Sequence, residues 1–396
     1  MQKTKILLIG SFPPPYHGSA IYLNKLSKKL AQENDLQVFI IDTSDKRHDL
    51  KNLGRLNLIN VVTAVKSILK LICFLLSKKP DIVYIPISQN KLAYLRDGIF
   101  IAISKIMDKK VLIHLHGSYF LDFYKGLGKF YKKFIDLTIK SVDGAIVLGQ
   151  KLRYIFEHWL PAEKVFVLPN FIEWNLRSYN FDRNKNNKVT NITYLGNLLE
   201  SKGIFDLLEA IKIVKASVDS KFIVNIAGQF SNDSTTGLSL EEHMVRFKSY
   251  LIELADVVNY IGEIREEKDK YELLKNTDIF VFPSWYRVEG QPLVILEAMS
   301  CGCPIISTRG VGVIDETVID GVNGLLVEKR NVEKLAEAIL KLIKDRDLRK
   351  AMGRESKKRF EQEYTPEKHV EKFKQILIKI MFGERMDLKG LNIIPQ

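Results

Sequence analysis

Phe282-Pro-Ser-Trp-Tyr-Arg-Val-Glu-Gly-Gln-Pro-Leu-Val-Ile-Leu-Glu-Ala-Met-Ser-Cys-Gly-Cys-Pro-Ile305 reads as a strand end, a loop, a short helix and the start of another strand. The run Ile279–Phe282 that leads into it is wholly apolar, as in a strand buried on both faces. Gly290 and Pro292 then open a helical pattern from Leu293 to Met299, and the fixed φ of proline suits a first turn. The N–H groups of that turn have no partner inside the helix, which makes its start an anion site suited to a diphosphate. Glu289 stands before the helix and Glu297 within it. The helix is otherwise apolar, so Glu297 calls for a ligand or, more plainly, a salt bridge to a neighbouring lysine.

The same alternation extends outward in both directions. Lys5–Gly10, Gln37–Ile41, Ile82–Ile85, Val111–Leu115, Gly144–Leu148 and Val165–Leu168 are short apolar runs separated by helical patterns. After the polar, aperiodic stretch Phe181–Lys188, which reads as a linker, the alternation restarts with 191–195, 222–226, 257–261, 279–282, 304–307 and 324–327. Continuous apolar strands alternating with helices imply parallel sheets covered on both faces. The expectation is an α/β protein of two Rossmann-like doubly wound domains, 1–175 and 176–365. The segment 366–396, with a helix over 366–382, is expected to cross back to the first domain. Ligands of such sheets bind beyond the carboxyl ends of the strands, so two facing domains would place the site in the cleft between them.

The 396 residues are 46% apolar, enough to fill two cores. Cys73, Cys301 and Cys303 are too few for a disulfide framework and suit a reducing compartment. The Cys301-Gly-Cys303 pair has no second pair or histidine cluster beside it and reads as core rather than metal ligation. The start of the chain lacks the apolar region and cleavage site of a signal peptide, so a cytoplasmic protein is expected. Residues 1–170 hold 26 Lys and Arg against 13 Asp and Glu, and the remainder hold 34 against 34, so the net charge of +13 belongs to the first half. A one-sided basic field points to an anionic partner. No reader motif supports nucleic acid, which leaves an acidic membrane surface or a phosphorylated substrate. The apolar segment 61–79, interrupted by Lys66 and Lys70, is too short to span a bilayer. It reads as a buried domain helix or as one that also touches a membrane surface.

The stretch from Glu289 onward resembles the signature of retaining glycosyltransferases of family 4, which have the GT-B fold. The family pattern, a Glu pair eight apart followed by A-x-x-x-G-x-P, appears as Glu289, Glu297, Ala298, Gly302 and Pro304. It continues through Thr308–Glu316 and Asp320–Val327, about fifty residues in all. The resemblance implies that Glu297 accepts hydrogen bonds from the donor ribose and that Glu289 holds hydroxyls of the transferred sugar. It also implies that amides around Gly290, Leu293 and Val294 bind the diphosphate. Tyr194–Gly203 resembles the family's phosphate clamp: Lys202 and Gly203 match, but Asn197 stands where the family has Arg. Arg287 and Arg309 are candidates to replace it. In the first domain Gly10–Gly18 resembles the first-strand loop, where Gly18 and Ser19 would approach the donor, and His116 matches the strand-end histidine that contacts the sugar. Asp143 is expected to be structural, Asn170 a hinge, and His114 packed inside.

Asp345-Arg-Asp347 has the spacing of a metal motif but follows an amphipathic helix among basic residues, so no catalytic metal is expected. The reaction implied is transfer of a hexosyl or N-acetylhexosaminyl group from a nucleoside-diphosphate sugar. UDP is the expected carrier and GDP the alternative. The acceptor would be a glycan or a polyprenyl-diphosphate-linked hydroxyl in bacterial surface polysaccharide synthesis, with the enzyme peripheral at the inner face of the membrane. A nucleotide-sugar epimerase of the same fold and a non-catalytic nucleotide-binding scaffold are the competing readings.

Overall fold

A computed structural model describes residues 3–14, 18–44, 58–174, 189–231, 233, 236, 237 and 239–383. The expected linker 181–188 lies outside the described residues, as does the tip of the first loop, 15–17. The chain divides into two compact units: Met1–Asn170 together with Pro366–Gln396, and Phe171–Thr365.

The first unit holds strands β1 (Thr4–Gly10), β2 (Leu36–Asp42), β3 (Ile82–Ile87), β4 (Lys110–Leu115), β5 (Gly144–Val147) and β6 (Val165–Val167). They form one sheet in the order β2-β1-β3-β4-β5-β6, every pairing parallel. Its helices are α1 (Gly18–Leu30), α2 (Leu58–Ser77), α3 (Lys91–Ile106), α4 (Phe120–Lys125) and α5 (Lys129–Ser141). Asn90 caps α3 by accepting from the Ala93 amide at 3.0 Å, which satisfies one of the N–H groups a helix start leaves open. The interior residues of β1, β3 and β4 are almost wholly buried, as sheets covered on both faces require.

In the second unit β7 (Thr190–Leu195), β8 (Phe222–Ala227), β9 (Val258–Gly262), β10 (Ile279–Phe282), β11 (Ile305–Thr308) and β12 (Gly324–Val327) pair in parallel in the order β12-β11-β10-β7-β8-β9. Numbered within the unit, this is the 3-2-1-4-5-6 order of dinucleotide-binding sheets. Helices α6 (Ile204–Ser217), α7 (Leu240–Glu253), α8 (Glu267–Lys275), α9 (Leu293–Ser300), α10 (Ile314–Thr317), α11 (Val332–Lys344) and α12 (Arg346–Glu363) connect or cover it. The last helix, α13 (Pro366–Phe382), packs in the first unit.

Residues 61–77 belong to α2, and of the two readings of that segment the wholly buried one is set aside. Leu71 and Leu75 face the core, while Val62, Val65, Leu69 and Leu76 are exposed along one stripe beside Lys66 and Lys70. Asp345 does not merely end a helix: it also caps the next one, accepting from the Leu348 amide at 2.9 Å. That next helix, α12, has no apolar stripe to announce it, since its buried positions are Met352, Gly353 and Ser356.

The docking of α13 is polar as well as apolar. His369 Nδ1 lies 2.8 Å from the Pro169 carbonyl, which can only accept, so Nδ1 carries the proton. Nε2 of the neutral ring then accepts from the Tyr22 hydroxyl at 2.8 Å. Phe373 meets the buried Tyr84 ring edge-on at 5.5 Å, and Lys374 reaches Glu33 at 2.7 Å. Burial pushes His369 down from 6.5 to about 3, although the Pro169 hydrogen bond acts the other way. Below pH 6.5 the unfolded chain takes up a proton that the folded chain refuses until about pH 3. Stability from this residue is therefore complete above pH 6.5 and is lost on acidification across that window, at about 1 kcal/mol per pH unit. The expected outcome is that the urea midpoint of His369→Gln falls less steeply between pH 6.5 and 4 than that of the parent. Parallel slopes would remove His369 as a source of acid sensitivity.

Candidate active site

In an open parallel sheet, loops leave in opposite directions where the strand order reverses, and a crevice forms there at the carboxyl ends. In the second unit that point lies between β7 and β10. The two segments that leave these strands carry the residues singled out by sequence: Asn197 to Gly203 after β7, and Phe282 to α9 after β10.

Gly203 determines how closely they approach. It has φ +79°, and a Cβ there would sit 2.2 Å from the Pro283 carbonyl oxygen. Only glycine allows the turn Glu200–Lys202 to lie against the β10 loop. The Trp285 amide donates to the Ser201 carbonyl at 2.8 Å, and the Trp285 indole donates to Asp206 at 3.1 Å. The approach brings Lys202 Nζ to 2.5 Å from Glu289 Oε2, across 87 positions of sequence. The rings of Tyr286 and Phe282 lie 5.0 and 5.4 Å from the same ammonium. The Ser284 hydroxyl is 3.3 Å from Glu289 Oε2. Burial first, then the charges of Glu289 and Asp233, raise the Tyr286 phenol, so it stays protonated. Glu289 is 9% exposed. A charge pair this dry is costly to break from one side, because the remaining charge would stay buried without its partner.

Glu297 takes the plain alternative weighed from sequence, at least in part. Lys270 of α8 lies 2.9 Å from its Oε1. Its other oxygen, Oε2, is buried with no hydrogen-bond partner among the described residues. Pro292 sits one position before α9 as its cap, and Leu293 and Val294 form the half-buried first turn. Gly290 is buried, and its carbonyl accepts from the Val313 amide at 2.9 Å. Asn197 is exposed. Arg309 is engaged elsewhere, 2.8 Å from Asp320. Among the described residues there is no group of three or more His, Cys, Asp or Glu side chains that could hold a metal.

The remaining predicted residues belong to the first unit. Gly18 and Ser19 open α1. His116 follows β4, and its ring lies 3.9 Å from that of His114 and 4.5 Å from that of Tyr22, tilted by 30° and 59°. His114 is fully buried, with Nδ1 2.6 Å from the Tyr84 hydroxyl. Asp143 ties strands together: partial burial would raise its pKa, but bonds from Lys105 and the Val111 amide, both 2.8 Å, hold it below the ordinary value. Asn170 is buried at the end of the first segment of the unit. Sequence reasoning missed Lys270, Tyr22 and His369, none of which carries a local signal.

Residues 177–359 match the family model of Glycosyl transferases group 1. An uncharacterized glycosyltransferase of Methanocaldococcus jannaschii is 27% identical over 284 residues, 69% of this chain and 69% of that protein. CapM, a capsular polysaccharide biosynthesis glycosyltransferase of Staphylococcus aureus, is 30% identical over 174 residues, 44% of this chain but only 42% of CapM. The solved structure of Anabaena HepE in complex with UDP aligns with a TM-score of 0.68 at 18% identity, covering 95% of this chain and 99% of that one. Its likeness is one of fold. The fold is that of GT-B proteins, residues 177–359 are similar to glycosyl transferases group 1, and the protein is a transferase of the glycosyltransferase class.

Gly203→Ala should destabilise the protein by about 2 kcal/mol or more, since φ and the Pro283 carbonyl both exclude a Cβ. Chemical denaturation would measure this, and an unchanged midpoint would mean that the turn can withdraw from the β10 loop.

Proposed function

We propose that the protein is a retaining glycosyltransferase of family 4. It moves a hexosyl or N-acetylhexosaminyl group from a UDP-sugar to a hydroxyl of a glycan or polyprenyl-diphosphate-linked acceptor in bacterial surface polysaccharide synthesis. The observation that carries this reading is the Lys202–Glu289 pair at the strand-order reversal of the second unit, 2.5 Å apart, with Glu297 eight residues beyond Glu289.

The chemistry follows from what each group can do. The bond between the anomeric carbon and the diphosphate oxygen breaks, and negative charge collects on the departing diphosphate. Lys202 supplies a positive charge and the first-turn amides of α9, at Leu293 and Val294, supply dipoles of the same sense. In this reading those groups, rather than a divalent cation, stabilise departure. Glu289, released from Lys202 as the ammonium turns to the diphosphate, accepts from sugar hydroxyls. The acceptor oxygen forms the new bond on the same face, and its proton passes to the leaving phosphate oxygen. Glu297 accepts from the ribose. His116, with Gly18 and Ser19, is assigned to the donor sugar and phosphates. UDP as carrier is supported by the UDP complex of HepE, and the pathway by the similarity to CapM, a capsular polysaccharide biosynthesis glycosyltransferase. The exposed Asn197 stands where the family has Arg, so Lys202 carries more of the charge at the diphosphate in this reading.

Peripheral attachment to an acidic membrane is part of the proposal. No helix among the described residues is long and apolar enough to cross a membrane. The exposed stripe Val62, Val65, Leu69 and Leu76 of α2 has Lys66 and Lys70 beside it, and Phe130, 94% exposed at the start of α5, has Lys129 before it. Each lysine near an anionic surface adds about 1 kcal/mol.

Nucleotide stabilisation is the first measurement: a ligand at about 100 times its Kd adds roughly 2.7 kcal/mol. A melting shift with UDP or GDP is expected, and silence from every nucleoside diphosphate would favour neither a transferase nor a scaffold. Lys202→Ala and Glu289→Ala should each lower kcat by about 10²-fold or more. Near-normal turnover in both would discard the assignment. Binding to vesicles containing phosphatidylserine should weaken as salt rises, and salt-independent binding would count against an electrostatic attachment.

A further inference from the structure

Glu297 is anchored through one oxygen, while the other is buried without a donor among the described residues. Lys270 holds Oε1 at 2.9 Å, while Oε2 has no donor among the described residues although Glu297 is only 8% exposed. A buried carboxylate oxygen without a donor is unfavourable, and such an atom in a folded protein calls for a use. We propose that Lys270 is a positioning residue for nucleotide recognition: by tethering Oε1 it fixes the carboxylate so that Oε2 faces a hydroxyl of the bound ribose, and the preference for a ribonucleotide over its 2′-deoxy form is set through Lys270. This rests on the reading of Glu297 as the ribose acceptor.

The pairing joins two elements that owe their packing to other contacts. The Trp174 indole donates to the Ser300 hydroxyl of α9 at 2.6 Å, and its ring lies 5.5 Å from Tyr271 of α8. Leu274 of α8 is fully buried. The two helices therefore have neutral contacts that survive loss of the lysine charge, and Lys270 itself is 24% exposed in its side chain. Without the ammonium, the carboxylate is free to turn about its last bond, which weakens a hydrogen bond that depends on direction. The loss falls on a ribose hydroxyl and leaves base and diphosphate contacts as they were.

Titration calorimetry of the full chain with UDP and 2′-deoxy-UDP tests this, with GDP and 2′-deoxy-GDP in parallel. The parent protein should prefer the ribonucleotide about tenfold, the worth of one hydrogen bond to a charged group. Lys270→Met should bring the two to within about twofold, by losing affinity for the ribonucleotide alone. Lys270→Arg should restore most of the preference, and melting curves will show whether each variant is folded. Equal loss of both nucleotides in Lys270→Met, with the preference intact, would give the lysine a structural or direct-contact role and overturn the inference. A parent protein that binds both forms equally would instead remove Glu297 as the acceptor of the 2′-hydroxyl, and this inference with it.

Discussion

Both sheets are parallel with their central strands buried on both faces, and that constraint decides where polar chemistry can reside. A strand such as β10, with all four residues buried, has no room for a charged side chain. The charges gather where the chain leaves the strands, and in the second unit the reversal of strand order separates two adjacent exits, after β7 and after β10. Close packing then limits which residues can line them. The contact of Gly203 with Pro283 and that of Gly312 with Gly290, where a Cβ would sit 2.0 Å from a carbonyl oxygen, bring backbone against backbone. The position of Lys202 is a result of that packing.

The acidic residues of this region are balanced by lysines from other elements. Glu289 is held by Lys202 and Glu297 by Lys270. Such pairs are weak evidence of stability, because removing two charges from water costs about as much as their attraction returns. Their worth lies in keeping the carboxylates oriented in a dry setting. The two differ in kind. Glu289 shares its ammonium with the Tyr286 and Phe282 rings and shares its oxygen with Ser284, whereas Glu297 leaves one oxygen without a donor among the described residues.

The strands, and the loops that carry Glu289 and Lys202, were legible because each depends on neighbours in sequence. Apolar runs of four to seven residues between helical patterns identify buried parallel strands, and Gly203 and Pro292 mark the turn and the cap beside them. Lys270 was not legible. Helix α8, Glu-Lys-Asp-Lys-Tyr-Glu-Leu-Leu-Lys, is charged along most of its length, and the burial of Tyr271 and Leu274 does not say which lysine meets Glu297. Helix α12 was missed for a related reason. It packs through Gly353, where a Cβ would come 2.5 Å from the Gly302 carbonyl, so its contact face is made of small residues rather than an apolar stripe. The two readings of α2 stayed open because apolar composition alone does not distinguish a buried face from one left open.

The first unit is discontinuous in the chain, and its closing contacts join residues as far apart as Tyr22 and His369, 347 positions. During synthesis, the strands of the first sheet emerge long before the helix that covers Tyr84 and pairs with Tyr22. Residues 171–365 must be translated in between, which at ordinary rates takes roughly 10 to 40 s. Through that interval the nascent sheet presents an apolar and aromatic surface with its cover still unmade, and the second unit can fold to completion before the first is able to.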